Sequence, residues 1–236
     1  MTALREHLNL FALAVHRATG LRMGAAPEAD EESLRASDAH LPGAGWVVGI
    51  AGALAFALAG LLLRGSGWAP GVAAVAATVV MAALTQGRGE TALFRTAERL
   101  QAQPGLGTLV SLLVLAGKLS LLAAIASLSE PAVLAAILAA QVTSRLAPLL
   151  LARSLSAGVL PRAVQVGAAW CIVPLALVVA AAGVVSLVLG ALAATLACYG
   201  MWRLARRQAE PADADLLASA QQVCELAFFF GVALGV

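Results

Sequence analysis

Lys118, Arg145 and Glu225 are ionisable side chains set deep inside long apolar runs of a 236-residue chain. An ionisable group facing lipid tails costs several kcal/mol, so such residues turn to a bundle interior, find partners, or line a polar cavity. Two cations and one carboxylate can do two different things there. Glu225 can neutralise Lys118 or Arg145 and fasten helices together, or the three can form the floor of a substrate cavity. A charge relay through a small transporter is a third arrangement, but no inverted repeat and no pair of Gly/Pro-broken helices accompanies it. Asp215, at the start of the last apolar run, suits a helix N-terminus, where a carboxylate can cap free N–H groups and oppose the helix dipole.

The elements that must position these residues follow from composition. The chain is 61% hydrophobic and 12% charged, with mean hydropathy +0.90, against roughly half apolar and a quarter charged for a soluble domain. Apolar runs extend from Trp46 to Leu63, Pro70 to Thr85, Gly107 to Ser127, Pro131 to Ala152, Ala163 to Trp202 and Asp215 to Val236. Most match the roughly 20 residues that cross a bilayer. The Ala163–Trp202 run would extend about 60 Å as one helix, twice the hydrocarbon thickness, and Gly183 near its middle predicts two helices joined by a tight turn. The expectation is an all-α, polytopic transmembrane bundle of about seven crossings over residues 46–236, preceded by a cytoplasmic or interfacial segment, 1–45.

Cations orient the bundle. With the amino terminus in the cytoplasm, Arg5, Arg17, Arg22, Arg35, Arg88, Arg95, Arg99, Arg153, Arg162, Arg203, Arg206 and Arg207 fall on that side and only Arg64 on the other, as the positive-inside rule requires. A single span over Ala163–Trp202 would scramble the pattern. Lys118, Arg145 and Glu225 then lie about 10 to 17 Å from the cytoplasmic ends of their helices, within reach of one cavity.

Leu4 to Leu21 places Leu4, Leu8, Phe11 and Val15 along one face and predicts an interfacial amphipathic helix. The acidic stretch from Ala25 to Asp38 (Glu28, Asp30, Glu31, Glu32, Asp38) reads as a solvated linker. The histidines lack metal-ligand spacing and are expected at the surface or interface. Cys171, Cys198 and Cys224 lie in apolar runs without CxxC spacing and are expected as buried thiols. The first forty-odd residues show no apolar segment ending in a small-residue cleavage site, so no signal peptide is expected. The cations form no basic stripe, which argues against nucleic acid as a partner.

Nearly the whole chain resembles the cobalamin synthase (adenosylcobinamide-GDP ribazoletransferase) family. The resemblance is carried by Leu-Arg-Glu-His-Leu-Asn-Leu-Phe near the start, by Leu41-Pro42 with Gly45 and Gly49, and by Thr85, Gly87 and Glu90 against a Thr-Gly-Gly-Leu-His-Glu-Asp-Gly pattern. Gly107, Lys118, the Ser144-Arg145 pair, and Asp215 with Gln221, Gln222, Glu225 and Phe228 continue it. It implies a bacterial inner-membrane enzyme that joins adenosylcobinamide-GDP to α-ribazole or its phosphate, releases GMP and uses Mg²⁺, with membrane lipid and other cobamide-assembly enzymes as neighbours.

The chain departs from the family where that chemistry is concentrated. Against His-Glu-Asp-Gly-Leu-Ala-Asp-x-x-Asp it reads Gly89-Glu90-Thr91-Ala92-Leu93-Phe94-Arg95-Thr96-Ala97-Glu98, so Thr91 and Arg95 stand where the family has aspartates. The following loop is shortened to Leu100-Gln101-Ala102-Gln103-Pro104, and Asp213-Ala214 replaces Thr-Gly before Asp215. Hard cations at diphosphates are held by several carboxylates. By resemblance the catalytic and metal-binding set reduces to Asp215, Glu90 and Glu98, with Lys118, Arg145, Glu225, Arg95 and Ser144 on the substrate. Arg95 could partly replace a cation by a bidentate contact to phosphate. The alternative implied by the same losses is a catalytically impaired relative that binds a corrinoid or nucleotide, or scaffolds the pathway at the membrane.

Overall fold

The computed structural model describes residues 2–21, 30–101, 105–155, 161–207 and 213–236. Arg22, Glu28, Ala102, Gln103 and Pro104 lie outside the described residues, as do the side chains of Leu4 and Gln101. Among the described residues the elements are α1 (Thr2–Thr19), α2 (Glu31–Ser37), a 3-10 turn (Asp38–His40), α3 (Leu41–Leu62), α4 (Ala69–Leu84) and α5 (Arg88–Gln101). Then follow α6 (Leu106–Leu128), α7 (Glu130–Thr143), α8 (Leu146–Ser154), α9 (Pro161–Arg207) and α10 (Ala214–Gly235), with no strand.

Five helices, counting α7 with α8 as one, are long and apolar enough to cross a membrane, and α4 makes a sixth candidate through its bent pairing with α5. The protein is a polytopic membrane protein turned to lipid in the manner composition predicts. Leu54, Leu58, Leu61, Leu112, Leu113, Leu192 and Leu196 are exposed, while the interior combines many alanines with Phe228, Phe229, Leu122, Ile125 and Ile137. Because lipid tails are as apolar as leucine, helices associate where small residues let backbones approach. A Cβ on Gly45 of α3 would sit 2.3 Å from the Gln141 carbonyl of α7, and one on Gly231 of α10 would sit 2.2 Å from the Leu189 carbonyl of α9.

α9 extends over 47 residues, but Gly183 within it has φ 86°, ψ 169°, a region closed to other residues. In a continuous helix Cys171 and Cys198 would be about 40 Å apart, yet they line the same cavity. The chain therefore doubles back. The first limb runs antiparallel to α7 and α8, with Gly167 against Leu146 and Cys171 against Leu138 and Val142. The second runs antiparallel to α10, with Gly235 against Ser186 and Cys224 beside Ala194. Counting both limbs brings the crossings to about seven. No atom lies within 4 Å of a Cβ built on Gly183, so Gly183→Ala adds backbone strain alone. It is expected to cost about 1–3 kcal/mol, read as a lowered melting midpoint in detergent; an unchanged midpoint would show that the chain does not turn there.

Several boundaries differ from the sequence expectation. The first crossing begins at Leu41, because Pro42 is well placed in a first helical turn. The Pro131–Ala152 run is interrupted at Ser144–Arg145. Pro148 has no N–H for the Ser144 carbonyl, which accepts from Ala147 at 3.1 Å instead.

α1 buries Leu13, Ala14 and Val15 while Leu8 of the predicted stripe is 57% exposed, since only its second half docks on the bundle. His40 is buried rather than superficial, 3.3 Å from His7 and edge-on to Trp170. Arg17 ties α1 to the following turn through Asp38 at 2.7 Å, Ser37 Oγ and the Leu34 carbonyl.

Candidate functional site

The α4–α5 junction sets the geometry. Gln86 and Gly87 both adopt left-handed conformations, and α5 leaves α4 at 85°, lying across the end of the bundle. Its buried face, Ala92, Leu93, Thr96 and Ala97, packs inward, and Thr96 meets Ser219 of α10 at 2.8 Å. Glu90 is thereby aimed into the bundle.

Beneath α5 the deep charges meet. Lys118 Nζ is 2.9 Å from Glu225 Oε1 and donates to Gln222 Oε1 at 3.1 Å. Gln141 Nε2 donates to Glu225 Oε1 at 2.6 Å, and Gln141 Oε1 accepts from Arg145 at 2.9 Å. The Gln141 carboxamide has only one workable orientation, because its amide faces a carboxylate and its carbonyl faces a guanidinium. Arg145 also donates to the Gln141 main-chain carbonyl. The guanidinium is 3% exposed and has no carboxylate within ion-pairing distance among the described residues. A buried cation held without a direct ion pair, with Glu225 reaching it only through Gln141, is the most costly feature of this network.

Lys118, Arg145 and Glu225 thus come together, with Glu90 lining the same inner hollow. Glu90 Oε2 is buried without a hydrogen-bond partner. Next to the hollow, sharing Thr85, Arg145, Gln221 and Gln222 with it, lies a cavity of about 150 Å³ whose walls include Arg17 and Arg88. A Cβ at Gly89, where the resemblance places a histidine, would fall 2.1 Å from Gln222 Nε2. Gln222 occupies the space a side chain there would need.

The remaining expected residues are elsewhere. Glu98 accepts from the Gly105 and Gly107 N–H groups at 3.0 and 2.8 Å and so anchors the start of α6. Asp215 lies 3.4 Å from Arg99 and 3.9 Å from Arg95, so Arg95 faces a carboxylate. Asp213, rather than Asp215, caps α10 by accepting from the Leu216 N–H at 2.8 Å. The hydrogen bond from Arg99 holds the Asp213 carboxyl below the usual carboxylate range.

Ser144 Oγ is buried and unpartnered beside a different cavity of about 610 Å³ between α8, α10 and the two limbs of α9. That cavity is the larger, but its lining is apolar apart from hydroxyls and the three free cysteines. The charged side chains Arg17, Arg88 and Arg145 line the smaller one.

Among the described residues no three His, Cys, Asp or Glu side chains converge as a metal site. The carboxylates expected to hold Mg²⁺ are separated for identifiable reasons: Glu98 is committed through Oε1 to two backbone N–H groups, Asp215 faces two arginines, and Glu90 stands apart with Oε2 buried in the inner hollow. This donor set does not fit a hard divalent cation, which takes several oxygen ligands at once.

Gln141, Arg17 and Arg88 complete the arrangement and were not among the expected site residues. Gln141 had a readable signal, being the polar residue one helical turn before Arg145. Arg17 and Arg88 had none, because their convergence depends on α1 folding back over the α4–α5 turn.

Two curated relatives resemble the chain along most of its length. A protein of Polaromonas sp. (strain JS666) named adenosylcobinamide-GDP ribazoletransferase is 31% identical over 87% of this chain and 88% of its own length. One of Polaromonas naphthalenivorans with the same name is 32% identical over 86% and 88% respectively. No family model matches the chain, and no solved structure does.

Proposed function

Because this chain belongs to the adenosylcobinamide-GDP ribazoletransferase family, we propose that it joins adenosylcobinamide-GDP to α-ribazole or its phosphate in the late steps of cobalamin assembly. A ribazole hydroxyl forms a new ester bond to the phosphorus attached to cobinamide, the P–O–P bond breaks, GMP leaves and the hydroxyl proton is released. The observation that carries this reading is Arg145, a buried guanidinium on the wall of a small cavity that makes no direct ion pair among the described residues. Such a group is complementary to a phosphate oxygen and gains most where water is excluded.

Lys118 and Glu225 hold Gln141, and Gln141 holds Arg145, so the deep ion pair acts as a foundation for the anion contact. Glu90, with a free carboxylate oxygen beside it, is placed to accept the hydroxyl proton. The bundle sits in the bacterial inner membrane with its amino terminus and this site on the cytoplasmic side. The basis is the cation distribution, with Arg17, Arg88, Arg95 and Arg99 at the site end and Arg64 in the turn between α3 and α4.

Expression in cells lacking the family enzyme is expected to restore cobalamin production from supplied cobinamide, scored by growth on a cobalamin-dependent carbon source. Glu90→Gln is expected to reduce the rescue by about a hundredfold or more, within the range for loss of a general base. Absence of rescue by a well-expressed, membrane-inserted chain would instead favour a non-catalytic relative.

A further inference from the structure

Arg17, Arg88 and Arg145 come from three separate elements, α1, the first turn of α5 and the α7–α8 junction, and converge on the cavity of about 150 Å³. Arg145 is fixed by Gln141 alone. Arg88 is fixed by neutral acceptors, Gln86 Oε1 at 2.7 Å and the main-chain carbonyl of Arg17. Arg17 has Asp38 as its carboxylate, engaged through Nη1. Lys118, just inside, is already neutralised by Glu225. Of the three arginines around this cavity, Arg88 and Arg145 make no direct ion pair among the described residues, and Glu90, with a buried free oxygen, lies on the inner side. Like charges gathered this way are unfavourable until an anion enters, and guanidinium forks match phosphate oxygens with two parallel hydrogen bonds.

We propose that this pocket takes the diphosphate of a nucleotide substrate directly on Arg17, Arg88 and Arg145, without a divalent cation bridging ligand and protein. The reading of the chain as a transferase supplies only the nature of the ligand; the cation independence comes from the pocket. It is consistent with the dispersal of Glu98 and Asp215, since charge that carboxylate-held metal would have offset is offset here by side chains. Thr85, Gln221 and Gln222 complete the lining with neutral polar groups, and Leu41 and Pro148 add apolar ones.

The test uses the full chain purified in lipid nanodiscs and titrated calorimetrically with inorganic pyrophosphate and with GDP, in EDTA and in millimolar Mg²⁺. Pyrophosphate affinity in EDTA is expected to stay within about threefold of its value in Mg²⁺, or to exceed it. Arg88→Ala, at an exposed position that leaves the bundle intact, is expected to weaken binding at least tenfold, about 1.4 kcal/mol. Arg88→Lys should recover part of that loss, and Arg64→Ala, in the α3–α4 turn, should change nothing. Loss of binding in EDTA, or equal binding by Arg88→Ala and the parent, overturns the proposal. Rescue of cobalamin production together with strictly Mg²⁺-dependent binding leaves the transferase reading standing and removes this one; EDTA-resistant binding without rescue does the reverse.

Discussion

Arg145→Met is expected to lower turnover of adenosylcobinamide-GDP by a hundredfold or more while the folded protein survives. Removing one member of a desolvated charged contact costs about 2–5 kcal/mol, equivalent to thirtyfold to several-thousandfold, and Arg145 is a buried guanidinium without a direct ion pair among the described residues. Its loss from the resting protein has opposing terms. Gln141 forfeits hydrogen bonds at its side-chain and main-chain oxygens, worth about 1–3 kcal/mol, but a buried charge that makes no direct ion pair also disappears. The melting midpoint in nanodiscs should therefore move little. A steep fall in the midpoint, with normal turnover per folded molecule, would make Arg145 a structural residue and leave the site without its anion receptor.

The second large effect concerns Lys118 and Glu225, and here the expected outcome is reversed. Lys118→Met and Glu225→Leu each strand a buried charge and should destabilise the bundle by about 3–5 kcal/mol, whereas the double variant should recover most of that loss. Thermal unfolding of the four proteins gives the coupling directly. Turnover in the double variant should return only in part, because Gln141 loses the acceptor that aims its carboxamide at Arg145. Additive losses in the double variant would mean that the two residues do not act as a pair.

Much of the architecture was legible because lipid imposes strong demands on sequence. Run lengths and Gly183 predicted about seven crossings and the doubling back of α9, and hydrocarbon cost predicted that Lys118, Arg145 and Glu225 would turn inward. What stayed hidden was set by tertiary approach. Glu98 and Glu90 are two helical turns apart in α5, yet the shortened loop brings the start of α6 under Glu98 and spends it on Gly105 and Gly107. Asp215 looked like a cap, but Asp213, two residues earlier, takes that role and frees Asp215 to meet Arg95 and Arg99. Ser144 and Arg145 are neighbours in sequence, but the interruption before Pro148 turns one toward the apolar cavity and the other toward the polar one.

The Lys118–Glu225 contact also bears on how the molecule is made. Synthesis proceeds from the amino end at about 5–20 residues per second, so α6 leaves the ribosome some seconds before α10. During that interval the ammonium lacks Glu225, and the six crossings that precede α10 must shelter it with water, lipid phosphate or an insertase. Ribosome stalling ahead of Glu225 would leave a bundle short of its last helix, with Lys118 missing its ion-pair partner in the bilayer, a form open to membrane quality-control proteases before α10 closes over it.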